Sequence, residues 1–132
     1  MTTNENKKKI ILAVDDDADL LELNVIALSA KGFEVLEAGN GKEAMEWLDR
    51  KGDEIELILL DIVMPIMDGF EVLEKIQKSE KYRKIPVIVA SNLESDADRQ
   101  AAFALGAKDF FEKVKMNPSS VAEKIKEIIE KK

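Results

Sequence analysis

Short apolar runs alternate five times with longer segments of helical period, and this alternation restricts the fold of the 132-residue chain more than any other feature. The runs are rich in branched residues and have the length of strands; they cover residues 10–14, 33–38, 57–60, 87–90 and 108–111. The helical segments cover residues 17–31, 42–50, 69–78, 95–105 and 118–130. Strands joined by crossover helices form a parallel sheet covered on both faces, so the sequence predicts an α/β fold.

Several residues predict where the elements begin and end. Gly32 and Gly106 each follow a helical segment and precede a strand, which is the position of a left-handed helix cap. Asn117 before Pro118 is typical of a helix start. We expect one domain with a core over about residues 9–130 and flexible residues 1–8.

Composition excludes several classes of chemistry. The chain has no cysteine and no histidine, so disulfides, thiolate metal sites and imidazole catalysis are ruled out. The net charge of -7 argues against nucleic acid as a partner. No apolar run approaches the roughly 20 residues that span a bilayer, and the polar start lacks the apolar core of a signal peptide. We therefore expect a cytoplasmic protein with no membrane partner.

Polar side chains follow four of the predicted strands. Asp15, Asp16 and Asp17 come after the first strand and Asp61 after the third. Ser91 with Asn92 follows the fourth strand, and Lys113 follows the fifth. Because the carboxyl ends of parallel strands share one edge of the sheet, we expect these groups to meet there.

The chemistry expected at this edge is phosphoryl transfer. Clustered carboxylates repel each other unless a cation lies between them, and an all-oxygen site suits Mg²⁺, with Mn²⁺ as a possible substitute. A carboxylate beside a divalent ion and a lysine is equipped to attack phosphorus, because both cations neutralise the phosphoryl oxygens. The product would be an aspartyl phosphate.

Three segments resemble the CheY-like receiver domains of bacterial two-component response regulators. The segments cover residues 11–17, 60–70 and 106–113, and the resemblance extends over residues 8–129. It implies a flavodoxin-like, doubly wound (βα)5 fold with a five-stranded parallel sheet in the order 2-1-3-4-5.

The resemblance also implies a role for each site residue. Asp61 would be the phosphoacceptor; Asp15, Asp16, Asp61 and the backbone carbonyl of Val63 would bind Mg²⁺; Ser91, Asn92 and Lys113 would surround the phosphoryl group. Phe110 would be the aromatic switch, whose ring turns inward in the family on phosphorylation.

The function implied is that of a stand-alone response regulator in a phosphorelay, with no output domain after Glu130. The phosphoryl donor would be a separate histidine kinase or histidine phosphotransfer protein, since this chain lacks histidine. An unidentified downstream protein would read the face built by the fourth helix, fifth strand and fifth helix. Such proteins are signalling proteins and not conventional enzymes, although family members catalyse their own phosphoryl transfer and slow dephosphorylation.

Two departures from the family pattern keep an alternative open. Val114 replaces the usual proline after the lysine, and Asn92 replaces a small residue. The alternative is a receiver-like binding module that does not turn over phosphate and acts through protein contacts. A haloacid-dehalogenase-like phosphatase is a lesser alternative, because Asp19 stands where that motif has threonine or valine and no late acidic pair follows.

Some of these residues also have purely structural interpretations. Asp17 and Asp68 are expected to cap helices, Ser91 could be a turn hydroxyl and Lys113 an exposed lysine. Strand alternation predicts that only one of two adjacent phenylalanines is packed, and we assign that place to Phe111. Trp47 is expected to cover the sheet.

Overall fold

The computed structural model describes residues 7–92 and 95–131 and contains one parallel sheet with the strand order β2-β1-β3-β4-β5. The strands are β1 (Ile10–Val14), β2 (Glu34–Ala38), β3 (Ile55–Leu60), β4 (Val87–Ser91) and β5 (Asp109–Glu112). Every neighbouring pair is parallel. The predicted fold class and strand order are confirmed, with strand ends displaced by one or two residues. Most of the terminal segment predicted to be flexible lies outside the described residues.

Five α-helices connect or follow these strands in the described part of the chain: α1 (Ala18–Ala30), α2 (Gly41–Lys51), α3 (Gly69–Gln77), α4 (Asp96–Ala104) and α5 (Pro118–Glu130). A 3-10 helix, Gly52–Glu54, joins α2 to β3. Each α-helix begins after a side chain that accepts a backbone hydrogen bond from its first turn; these caps are Asp17, Asn40, Asp68, Ser95 and Asn117. The capping roles predicted for Asp17, Asp68 and Asn117 are therefore confirmed. Gly32 and Gly106 have φ values of +94° and +98°, as a left-handed helix end requires.

Two apolar layers cover the two faces of the sheet. Leu12, Ile58 and Leu60 point into the layer that includes α2, α3 and α4. Ile11 and Leu57 point into the layer formed with α1 and α5. Consecutive strand residues enter opposite layers because strand side chains alternate between faces, and this two-sided burial explains the nearly continuous apolar runs of β1 and β3.

The two phenylalanines of β5 correct one prediction. Phe110 and Phe111 are both buried, with 4% and 7% of their surface exposed. They belong to opposite layers, so the expectation that only one of them is packed was wrong. The alternation itself holds, but each face of the sheet is covered by helices. Trp47 lies on α2 and packs, as predicted, against the apolar layer on that face of the sheet. Its indole N–H donates to the Glu37 carbonyl at 2.8 Å.

Among the described residues, no helix has the length and apolar character needed to cross a membrane.

Candidate functional site

The carboxyl ends of four strands bring the predicted polar residues to one edge of the sheet. Asp15 follows β1 and Asp61 follows β3, and both are buried. Ser91 ends β4 and is fully buried, while Lys113 follows β5. The strand register aligns these ends, with Val14 beside Leu60 in one pair of strands. The convergence predicted from the strand pattern is confirmed.

Lys113 bridges the two buried carboxylates. Its ammonium nitrogen lies 2.7 Å from Oδ2 of Asp15 and 3.1 Å from Oδ2 of Asp61. Only 14% of its side chain is exposed, so the interpretation as an ordinary surface lysine is wrong. The peptide bond between Lys113 and Val114 is trans, and with valine in place of proline the ammonium still contacts both carboxylates.

The backbone orients the other oxygen of each carboxylate. Oδ1 of Asp15 accepts from the Asp17 N–H at 2.9 Å, and Oδ1 of Asp61 accepts from the Ile62 N–H at 2.8 Å. Each carboxylate is therefore held by a backbone donor on one side and by Lys113 on the other. This double contact fixes the orientation of both side chains.

Burial and neighbouring charges shift two ionisation equilibria at the site. Burial raises the pKa of Asp61; the Lys113 ammonium opposes this rise and the Asp15 carboxylate adds to it, with a net increase above the ordinary value. Burial lowers the pKa of Lys113, but its hydrogen bond to Asp15 and the charge of Asp61 outweigh that effect and raise it overall. Asp61 therefore gives up its proton at a higher pH than an ordinary aspartate, and Lys113 gives up its proton at a higher pH than an ordinary lysine.

Three carboxylates form a group suited to a metal ion. One oxygen from each of Asp15, Asp16 and Asp61 lies within 4.8 Å of the others, and Asp16 is exposed. This donor set is made entirely of carboxylate oxygens, which fits a hard divalent cation. Val63 lies two residues after Asp61, and the metal-binding role of its carbonyl remains a prediction.

The β3–α3 loop contains two features that sequence reasoning missed. A Cβ atom on Gly69 would lie 2.4 Å from the Asp61 carbonyl oxygen, so only glycine allows α3 to start against the backbone of Asp61. A glycine directly after the cap residue Asp68 was the available signal. Ile66 has a φ of +70°. Nothing in the sequence indicates this conformation, because branched residues rarely adopt a positive φ.

Asn92 and Phe110, which the resemblance assigns to the switch, are close to site residues in the sequence. Asn92 is exposed beside Ser91, and residues 93–94 of the same loop lie outside the described part of the chain. Phe110 precedes Lys113 by three residues and is covered by the guanidinium of Arg99, whose central carbon is 5.0 Å from the ring centroid. Arg99 is a further residue that sequence reasoning missed, since its contact with the ring depends on how α4 packs on β5.

The strand order is that of a CheY-like α/β fold. Asp15, Asp61 and Lys113, which we call the Lys113 pocket, lie at the carboxyl edge of its sheet. The family model for the response regulator receiver domain matches residues 11–126. The chain belongs to this family of receiver domains of two-component response regulators.

Similar proteins of known sequence include a CpxR transcriptional regulatory protein homolog from Haemophilus influenzae, 36% identical over 90% of this chain and 49% of the relative. The response regulator GtcR from Aneurinibacillus migulanus is 32% identical over 80% of this chain and 41% of the relative. The chain thus spans about half the length of these relatives.

Solved structures show the same fold. A CheY-like response regulator receiver domain from Methanospirillum hungatei has a TM-score of 0.83 and 30% identity, covering 95% of this chain and 96% of that one. The phosphorylated cyanobacterial phytochrome response regulator RcpA has a TM-score of 0.79 and 30% identity, covering 92% and 91%.

Proposed function

We propose that this receiver domain accepts a phosphoryl group on Asp61 from the phosphohistidine of a separate histidine kinase or phosphotransfer protein. The observation that carries the proposal is the position of Asp61: buried at the carboxyl edge, fixed by the Ile62 N–H and in contact with Lys113. A carboxylate in this setting is oriented, and a cation for the incoming charge is already beside it.

The transfer exchanges one bond to phosphorus for another. A carboxylate oxygen of Asp61 forms the new P–O bond as the P–N bond to the donor histidine breaks, and the electron pair of that bond stays on the imidazole. Lys113 then neutralises a phosphoryl oxygen, which is why a lysine shared between two carboxylates suits the task. Mg²⁺, or Mn²⁺ in its place, held by Asp15, Asp16, Asp61 and the Val63 carbonyl would supply further charge neutralisation.

The proposed output is a shift between two arrangements of the loop after β4. The Ser91 hydroxyl would follow the phosphoryl group, Asn92 would border it, and Phe110 would occupy the inward position. The surface formed by α4, β5 and α5 would then bind a downstream protein. A structure similar to this chain is that of RcpA in a phosphorylated form, which supports covalent phosphorylation as the signal.

Phosphorylation with a small-molecule donor tests the proposal directly. Incubation with acetyl phosphate and Mg²⁺ is expected to add the mass of one phosphoryl group to the wild-type protein and to Asp68→Asn, and none to Asp61→Asn. Asp68 is a matched control because it lies on the same loop and caps α3 without joining the Lys113 pocket. Wild-type phosphorylation of Asp61→Asn would reject the assignment.

The binding module that does not turn over phosphate is the competing proposal. Val114 and Asn92 are its support, and the contacts of Lys113 with both carboxylates argue against a displaced lysine. Membership of the receiver family sets aside the phosphatase alternative. Beryllium fluoride with Mg²⁺ separates the two remaining proposals: a phosphoacceptor is expected to melt at a higher temperature with the mimic, whereas an inert module would melt unchanged.

A further inference from the structure

Arg99 contacts both a ring and a carboxylate of β5. Its guanidinium lies over the Phe110 ring, 5.0 Å from the centroid, and its Nη2 atom is 3.2 Å from Oε1 of Glu112. The Phe110 ring is almost entirely buried, while 40% of the Arg99 side chain is exposed. The guanidinium therefore lies between the ring and solvent on this side of the domain.

These contacts connect α4 to β5, the strand that directly precedes Lys113. Glu112 immediately precedes Lys113 and is in register with Ser91, and the Lys113 N–H donates to the Ser91 carbonyl at 3.0 Å. Arg99 lies one helical turn after the cap Ser95, whose carbonyl accepts its backbone N–H at 3.1 Å. Arg99 therefore links the first turn of α4 to the end of β5, directly before Lys113.

We infer that Arg99 is a positioning residue for the Asp61 site: it keeps the Phe110 ring buried and so stabilises the arrangement that binds a phosphoryl group. The burial of the ring depends on the contacts of Arg99 alone, whereas its effect on phosphoryl binding rests on the proposed function. Arg99 suits this task because a planar guanidinium can stack on a ring and pair with a carboxylate at the same time.

Lys115 provides a matched control for the ion pair. Its ammonium lies 3.3 Å from Oε2 of the same Glu112 carboxylate, and its side chain is 72% exposed. Lys115→Ala removes one positive charge and one partner of Glu112, as Arg99→Ala does, but leaves the ring contact in place. Arg99→Lys keeps the charge and removes the planar stack.

The burial of the ring is measured without any phosphoryl ligand. The five phenylalanines are labelled with fluorine, and the Phe110 resonance is assigned by its absence from Phe110→Leu. Broadening by a soluble paramagnetic agent then reports ring exposure. In Arg99→Ala and Arg99→Lys, the population of molecules with an exposed Phe110 ring is expected to be roughly two- to five-fold larger than in wild type. In Lys115→Ala this population is expected to match that of wild type. Equal broadening in all four proteins would overturn the inference.

The link to the site is measured by titration with beryllium fluoride in Mg²⁺. Arg99→Ala is expected to bind the mimic roughly two- to five-fold more weakly than wild type, and Lys115→Ala with wild-type affinity. Failure of the wild-type protein to bind the mimic would reject the proposed function. The ring measurement would then still decide whether Arg99 keeps the Phe110 ring buried. Binding by wild type with equal affinity in Arg99→Ala would reject the positioning role alone.

Discussion

At the scale of single residues, Lys113 is the group on which the electrostatics of the site depend. It is the cation that contacts both buried carboxylates, and those contacts raise its pKa above the ordinary value of 10.5. A lysine whose folded-state pKa is raised stabilises the fold below its unfolded pKa, and this contribution is lost as pH rises through the folded value.

Replacement of Lys113 by methionine is expected to lower the free energy of unfolding at pH 7 by about 3–5 kcal/mol, because Asp15 and Asp61 would remain buried without a cation. Urea denaturation measures the loss. Mg²⁺ is expected to stabilise the variant more than wild type, since the ion would replace the missing charge. Lys115→Met is the control and is expected to change stability little; an equal loss in both variants would contradict the argument.

The effect of Asp61 on stability has the opposite pH dependence from that of a carboxylate whose pKa is lowered by a salt bridge, because burial outweighs the contact with Lys113. Its folded-state pKa lies above the ordinary value of 3.8, so the folded protein binds this proton more tightly than the unfolded chain does. The contribution of Asp61 to stability is therefore greatest below the unfolded pKa and is lost as pH rises through the folded pKa.

Asp61→Asn is accordingly expected to be more stable than wild type at pH 7, and the difference is expected to shrink as pH falls towards the unfolded pKa. Urea denaturation at a series of pH values measures this convergence. Asp68→Asn serves as the comparison because Asp68 caps α3 outside the pocket. A stability difference between Asp61→Asn and wild type that stayed constant over the whole pH range would show that burial of the charge is not its cause.

At the scale of elements, the β3–α3 loop combines a close approach with an unfavourable backbone conformation. Gly69 lies against the backbone of Asp61, while Ile66 adopts a φ of +70° with 75% of its side chain exposed. A branched residue in the left-handed region costs on the order of 1–2 kcal/mol, and little apolar burial offsets this cost at Ile66.

Ile66→Gly is expected to raise the free energy of unfolding by roughly 0.5–1 kcal/mol, because relief of strain exceeds the entropy that glycine adds to the unfolded chain. Thermal or urea unfolding without metal measures the change. Val63→Gly is the matched control, since Val63 is a branched, exposed residue of the same loop without a positive φ. Val63→Gly is expected to be destabilising, and a gain of similar size in both variants would reject the strain argument.

At the scale of the whole molecule, the site and both apolar layers depend on one sheet. The site residues follow four different strands, and each of those strands sends side chains into both layers. Loss of packing in one layer therefore disturbs the strands that position the site. A domain of this size with one shared sheet is expected to unfold as a single cooperative unit.

Ile125→Ala tests this cooperation. Ile125 is fully buried on α5, in the layer opposite the one that contains Trp47, and its truncation is expected to cost about 2–5 kcal/mol. Trp47 fluorescence and far-ultraviolet circular dichroism are expected to give the same lowered urea midpoint. A fluorescence midpoint that stayed at the wild-type value would mean that the two layers unfold independently.

The order of elements and most of the site residue types were predictable from the sequence. Strand and helix periods are local, and so are the capping side chains of Asp17 and Asp68, which is why these predictions agree with the structure. The edge shared by Asp15, Asp61 and Lys113 was also predictable, because parallel strands have only one carboxyl edge. The specific roles in phosphoryl transfer remain predictions.

The tertiary structure alone decided which atoms meet and which side chains are covered. It placed the Lys113 ammonium between two Oδ2 atoms despite Val114, buried both Phe110 and Phe111, and set Arg99 over a ring on β5. These outcomes join residues from different elements, and their geometry depends on how helices pack on each face of the sheet. Periodicity states which face a side chain occupies, whereas the partner it finds there is determined only when the layers close over it.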